Sequence, residues 1–232
     1  MYSVYWVGNN NNGNFGDVLT PHLLNYFGIN FQFVKKPPSD IICIGSIARH
    51  AHNKTKVLGS GFMAKKNPVN IKANYKFVRG PITREMILSK GGRCPEIYGD
   101  PAMLLPIFCD ESKKVHEVGI VPHVWHYKEI KEKYPTHNVI NLNTKNALDV
   151  AKEISKCRYI ISSSLHGIIA AHAYGIPAAW VNFGNLKGDG MKFYDHFLSC
   201  GITDAKVSTV DNPIFYTGSI NLNPLINIFK EL

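Results

Sequence analysis

The chain is poor in charge and carries no organised cysteine. Only 19% of its 232 residues are Asp, Glu, Lys or Arg, against 45% apolar residues, a balance that builds a large core and excludes a disordered tail, a coiled coil or a collagen-like repeat. The five cysteines, Cys43, Cys94, Cys109, Cys157 and Cys200, are scattered and odd in number. None forms a Cys-x-x-Cys pair, so neither a disulfide framework nor a zinc knuckle is expected. Mean hydropathy is −0.10, which leaves no room for a membrane bundle. No basic leader or small-residue cleavage site precedes Gly8, and the expected setting is reducing and cytoplasmic. The ten histidines include no His-x-x-x-His pair beside a Glu, so no metal is expected. The dinucleotide fingerprint Gly-x-Gly-x-x-Gly is also missing.

The charge that is present is positive: 26 Lys and Arg against 17 Asp and Glu, net +9. Such an excess suits nucleic acid, an anionic membrane surface, anionic small substrates or simply a solvated basic surface. The lysines are dispersed, and no basic helix or aromatic-interleaved strand appears. Nucleic acid is therefore not expected, and membrane contact is at most peripheral, at the inner face.

From residue 118 onward, β-rich runs recur at 118–121, 139–142, 159–163 and 178–183, with a helical pattern over 146–157. Strands alternating with helices predict parallel βαβ units. The N-terminal half repeats the pattern less regularly, with strands at 2–7, 31–34, 41–44, 57–60 and 76–78 and helices at 18–27 and 81–89. A polar stretch at 109–117 reads as a linker, and 224–232 has a helical pattern. The expected class is α/β: Rossmann-like domains over 1–110 and 111–221 facing across a cleft, mostly parallel, with 222–232 packing back on the first. Ligands of open α/β sheets bind at the carboxyl ends of strands.

Chemistry-bearing residues cluster at those ends. In Tyr159-Ile-Ile-Ser-Ser-Ser-Leu-His-Gly167, a strand turns into a helix whose free N–H groups favour an anion, with Ser162, Ser163 and Ser164 offering hydroxyls. The plainer alternative is that Ser164 caps the helix and His166 bonds locally. His172, in an Ala-rich stretch, reads as a packing residue. Phe77-Val-Arg-Gly-Pro-Ile-Thr-Arg84 places Arg79 at a strand end and Arg84 in the first helical turns, where a cation opposes the helix dipole unless an anion is near. A surface arginine pair or a salt bridge to Glu85 is the alternative. Asp100, at the end of a short strand and before a proline that forces an extended backbone, reads as a base, a hydroxyl ligand or an N-cap. Gly13-Asn-Phe-Gly-Asp17 is a glycine-rich turn opening a helix, and Gly45-Ser46 and Gly59-Ser60-Gly61 permit close approach. Lys187 and Lys192 flank glycines in a loop that could cover a phosphate.

Together, Asn14-Phe-Gly-Asp17, Gly59-Ser-Gly61, Val78-Arg-Gly-Pro81, Gly99-Asp-Pro-Ala102 and Ser163-Ser-Leu-His-Gly167 with Gly175-Ile-Pro177 resemble the polysaccharide pyruvyl transferase family. The resemblance implies a GT-B-like fold, a phosphoenolpyruvate donor with no other cofactor, and a saccharide acceptor, free or lipid-linked, that receives a pyruvate ketal in surface polysaccharide biosynthesis. By it, Arg79 holds the donor's anionic groups and His166 stands in the donor pocket, with Arg84, Ser163, Ser164, Leu165, Gly167, Lys187 and Lys192 around the donor. Asn14, Gly16 and Ser60 are expected on the acceptor. Many members carry arginine where this chain has Ser164, so Lys187, Lys192 or Arg84 is expected to supply that charge.

Transfer from an enol phosphate requires protonation of its methylene carbon. His166 is the expected acid, since imidazole titrates near neutral pH, and Asp100 or Asp17 is expected to accept the attacking hydroxyl's proton. Two other readings stand beside this one. A GT-B glycosyltransferase would place a nucleotide sugar's diphosphate on the same helix N-terminus, and a non-catalytic saccharide- or anion-binding relative would bind without turnover.

Overall fold

The computed structural model describes residues 1–8, 13–184 and 188–232. The first half supplies strands β1 (Tyr2–Tyr5), β2 (Gly13–Asn14), β3 (Phe31–Phe33), β4 (Ile41–Ile42), β5 (Lys56–Leu58) and β6 (Asn74–Phe77). Five of them form one sheet in the order β3-β1-β4-β5-β6, and every pair is parallel. The second half supplies β7 (His116–Val121), β8 (Asn138–Val139), β9 (Asn143–Thr144), β10 (Cys157–Ser162), β11 (Ala178–Trp180) and β12 (Phe215–Tyr216). Here the order is β12-β11-β10-β7-β8, parallel except for β12, which runs against β11. The fold is thus mixed α/β with mostly parallel sheets.

The helices are α1 (Thr20–Tyr26), α2 (Pro81–Leu88), α3 (Tyr127–Lys133), α4 (Ala147–Ser155), α5 (Leu165–Ala173), α6 (Met191–Ser199) and α7 (Asn223–Lys230). Among the described residues none is long and apolar enough to cross a membrane. α5 is apolar on nearly every side, and Leu165 to His172 are all buried, as a helix enclosed by other layers must be. It lies against β10 on one side and the 3-10 helix Pro101–Ile107 on the other. That contact joins the two halves, and one apolar core runs from Val4, Leu58 and Phe77 to Val121, Ile160 and Ile168.

Three further contacts tie the halves together. β2 pairs antiparallel with β9, and Phe15 N–H donates to the Leu142 carbonyl at 2.8 Å. α6 packs on α2, where a Cβ on Gly80 would come within 1.8 Å of the Asp195 carbonyl oxygen. α7 returns to the first half: Phe229 stacks on Phe27 with centroids 5.0 Å apart, and Tyr2 Oη donates to the Leu232 carbonyl. The stretch around residues 109–117 is pinned rather than loose, since Tyr174 Oη donates to the buried Cys109 carbonyl at 2.9 Å.

Candidate active site

The segments that leave the carboxyl ends of β1, β4, β5, β7 and β10 line one cavity of about 330 Å³. Its wall includes Asn14, Asp17, Ser46, Arg49, His123, Trp125, Ser164, Leu165, His166 and Lys192. A larger depression of about 630 Å³ on the far edge of the first sheet, around Ile71–Tyr75 and Gly91–Pro95, contains no carboxylate or imidazole.

His166 sits in the first turn of α5, buried to 8% exposure. Gly16 presses on one side of its ring, and a Cβ there would stand 1.9 Å from Nδ1. Its Nε2 lies 3.7 Å from Asp100 Oδ2, and neither atom has a hydrogen-bond partner among the described residues. Asp100 is placed by a turn. Tyr98 bridges Val78 in parallel, Gly99 takes φ 146°, and Asp100 Oδ1 then accepts from Ala102 N–H at 3.0 Å as the N-cap of the 3-10 helix. One carboxylate oxygen therefore caps while the other faces the imidazole. Asn14 Oδ1 is, with His166 Nε2, a second buried polar atom of a wall residue that has no partner among the described residues. Buried polar atoms left unpaired are costly and mark places where a ligand completes the bonding.

Asp17 opens the 3-10 helix that leads into α1. Burial pushes its carboxyl up to about 6; His166 and Lys192 oppose that rise and Asp100 adds to it. Lys192, in the first turn of α6 at 8% exposure, is pushed down to about 8 by burial and by Arg79, with Asp17 pulling the other way. Burial, then Lys192 and His126, lower His123 to about 4, so its ring is neutral at pH 7. Arg49, on the 3-10 helix Ala48–His50, has no ion-pair partner among the described residues. The cavity wall thus sets Arg49, Lys192 and the N-terminus of α5 against the Asp17 carboxylate and the imidazoles of His123 and His166, with Asp100 buried behind His166.

Of the remaining predicted residues, Ser164 and Leu165 lie on the wall and the other described ones do not. Arg79 is fully buried one layer beneath the cavity, and its donors are taken: Nε and Nη2 by Asp195 Oδ2 at 3.0 and 2.9 Å, Nη1 by Ser46 Oγ at 2.7 Å, and Nη2 also by the Phe62 carbonyl at 2.8 Å. It touches the cavity wall only through Ser46. Arg84 Nε donates to the Cys94 carbonyl at 3.2 Å, outside the wall. Ser60 Oγ donates to the Gly45 carbonyl and accepts from Ile47 N–H, which clamps the loop after β4. Ser163 Oγ accepts from His123 N–H at 2.9 Å, fixing the loop after β7. Gly167 faces the strand: a Cβ there would stand 2.4 Å from Ser162 Oγ and 2.7 Å from Val121 Cγ1. Ser164 makes no side-chain cap bond among the described residues, and it lines the cavity. Lys187 lies outside the described residues. Arg49, His123 and Trp125 carry no sequence signal because none belongs to a motif of its own.

The polysaccharide pyruvyl transferase model matches residues 2–185. The chain belongs to the polysaccharide pyruvyl transferase family. It is similar to an uncharacterized protein of Acanthamoeba polyphaga mimivirus, 32% identical over 79% of this chain and 64% of that one. It is also similar to the succinoglycan biosynthesis protein ExoV of Rhizobium meliloti, 28% identical over 88% of this chain and 66% of that one. The chain therefore spans just under two thirds of each of these family relatives. In overall fold it resembles the crystal structure of a functionally uncharacterized protein from Klebsiella pneumoniae, with a TM-score of 0.54 at 14% identity over 90% of this chain and 92% of that one.

Proposed function

We propose that the chain moves the enolpyruvyl group of phosphoenolpyruvate onto a saccharide, forming a pyruvate ketal and releasing phosphate in surface polysaccharide biosynthesis. The observation that carries this reading is the convergence of Asp17, His166, Lys192 and the N-terminus of α5 around one cavity at the strand ends, with Asp100 buried behind His166. Family membership supports it, as does the name of the relative from Rhizobium meliloti. On this reading the two sheets are the cores of two Rossmann-like units meeting in a GT-B-like arrangement, in the cytoplasm or at the inner membrane face.

The donor carries a carboxylate and a phosphate. Lys192, Arg49, the α5 N-terminus and the Ser164 hydroxyl bind them, Lys192 and Arg49 standing in for the arginine that many members have at the position of Ser164. His166, which faces Asp100, delivers a proton to the methylene carbon, and the carbon bearing the phosphate becomes electron-poor. Their 3.7 Å separation shortens as donor fills the cavity, as unliganded catalytic contacts commonly do. Asp17, with a carboxyl near 6, is ionised at pH 7 and takes the proton of the sugar hydroxyl that adds to that carbon. Phosphate then leaves, stabilised by the fixed cations, and a second hydroxyl closes the ketal, its proton passing to the His166 imidazole that gave up the first. Arg79 positions Ser46 and α6 rather than holding the donor.

Thermal shift with phosphoenolpyruvate, set against nucleotide sugars, tests the reading. Stabilisation by phosphoenolpyruvate, with phosphate release on adding pyranosides that carry two hydroxyls in 1,3 relation, is expected. Stabilisation by nucleotide sugars alone would replace it with glycosyl transfer, and binding without release would leave a non-catalytic relative.

A further inference from the structure

Away from the cavity, α5 and α6 bring two histidines and a cysteine together. His196 and Cys200 lie one turn apart on α6 and its C-cap and so share a face. His172 reaches them from the last turn of α5. His172 Nδ1 is 3.0 Å from His196 Nε2, and ligand atoms of the three residues all lie within 4.8 Å of one another. Tyr216 presents its carbonyl 3.1 Å from His172 Nε2. A carbonyl only accepts, so the hydrogen of His172 is on Nε2 and the lone pair of Nδ1 faces the cluster. That is the posture of a metal-ligating histidine, whose outer N–H is held by a backbone oxygen. Gly218 keeps the space open: a Cβ there would stand 2.4 Å from His172 Nδ1 and 2.8 Å from Cys200 Sγ.

We propose that His172 Nδ1, His196 Nε2 and the Cys200 thiolate bind a borderline-soft divalent ion, zinc, with water in the fourth position. Two nitrogen ligands at about 2.0–2.1 Å from tetrahedral zinc stand about 3.3 Å apart, close to the spacing observed. On binding, the hydrogen that His196 Nε2 donates to His172 Nδ1 shifts to His196 Nδ1, the Cys200 thiol releases its proton to solvent as the sulfur–zinc bond forms, and no electron moves. The ion staples α5 to α6. These helices carry His166 and Lys192 in their first turns, so the staple fixes the spacing of two cavity residues without touching either. A search for His-x-x-x-His pairs misses this site because its helical pair is His196-x-x-x-Cys200 and its third ligand is on another helix.

The full chain, without a histidine tag and stripped of metal by chelator, is titrated with Co²⁺. One equivalent is expected to give d–d absorption of tetrahedral intensity and a thiolate-to-cobalt charge-transfer band, both displaced by Zn²⁺. Cys200→Ser is expected to lose the charge-transfer band and to weaken Zn²⁺ binding at least about tenfold, whereas Cys94→Ser keeps both. Zn²⁺ is expected to raise the thermal midpoint of the stripped wild type. Absence of the charge-transfer band in wild type, its survival in Cys200→Ser, its loss in Cys94→Ser, or an unchanged midpoint with Zn²⁺ would overturn the proposal. None of these readouts uses donor or acceptor, so they stand or fall apart from pyruvyl transfer.

Discussion

Gly16 lies directly against His166, so closely that a Cβ on it would overlap the imidazole at 1.9 Å from Nδ1. Its backbone is helical, with φ −62°, so alanine meets no backbone strain, and the effect of Gly16→Ala falls on the ring. Displacing a reacting group by about 1 Å costs on the order of a hundredfold in rate. Gly16→Ala is expected to lower kcat by about that factor while adding about 1–3 kcal/mol of overpacking. Steady-state phosphate release and thermal unfolding measured together check this; an unchanged kcat would mean the ring position is not critical.

The enclosed pair of Arg79 and Asp195 makes an opposite prediction. Asp195 also accepts from Thr83 N–H and Thr83 Oγ1, so removing the guanidinium leaves a buried carboxylate with only neutral donors. Arg79→Met is expected to cost about 3–5 kcal/mol of stability and to leave the donor affinity of the folded protein nearly unchanged. Denaturant unfolding paired with calorimetric titration of phosphoenolpyruvate separates the two effects. A lost donor affinity with stability intact would return Arg79 to the donor site.

Lys192 and Asp17 bound the working pH. Lys192 sits near 8 and Asp17 near 6. A base must be ionised and an anion-binding lysine charged, so kcat/KM is expected to rise through about pH 6 and fall above about pH 8. Lys192→Met is expected to abolish the upper limb and raise KM for phosphoenolpyruvate about 10- to 100-fold, the worth of one charge-assisted hydrogen bond. A pH profile of both proteins checks it, and an upper limb that persists in Lys192→Met belongs to another group.

Asp17 is also expected to cost stability. Its folded carboxyl is raised from 3.8 to about 6, so between those values the folded state binds more protons and stability falls as pH rises. Asp17→Asn is expected to match wild type below about pH 4 and to exceed it by about 1–2 kcal/mol above pH 6, the full linkage value being discounted for partial exposure. Urea unfolding at pH 4 and pH 7.5 checks the sign. A destabilised Asp17→Asn at pH 7.5 would contradict it.

What could be read from sequence follows how local the determinants are. β10 and α5 were legible because an apolar strand, a serine turn and an Ala-rich helix stand in one continuous stretch, and His166, Asp100 and Asp17 each lie in such a strand-to-helix turn. Strand β4 stops at Ile42, shorter than the predicted 41–44, because Gly45 turns the chain at φ 109°. The antiparallel β12 carries no signal of its own in two residues. Arg79 looked like an anion receptor because its partner Asp195 lies 116 residues away, beyond any local pattern. Arg84 has its own local answer, the Cys94 carbonyl, ten residues on. Gly167 was assigned to the anion, yet the contact that requires glycine is with Val121 and Ser162 on the neighbouring strands. Arg49, His123 and Trp125 become neighbours only once loops from both sheets converge on one cavity.

The central claim is that His166 protonates an enol phosphate. The most direct measurement runs wild type and His166→Ala in D₂O with phosphoenolpyruvate and a pyranoside bearing a 1,3-diol, and follows phosphate release and the mass of the ketal methyl group. The account predicts one solvent deuterium in that methyl for wild type and a release rate at least about a hundredfold lower in His166→Ala. Near-equal rates for the two proteins, or a product methyl without solvent deuterium, would contradict it.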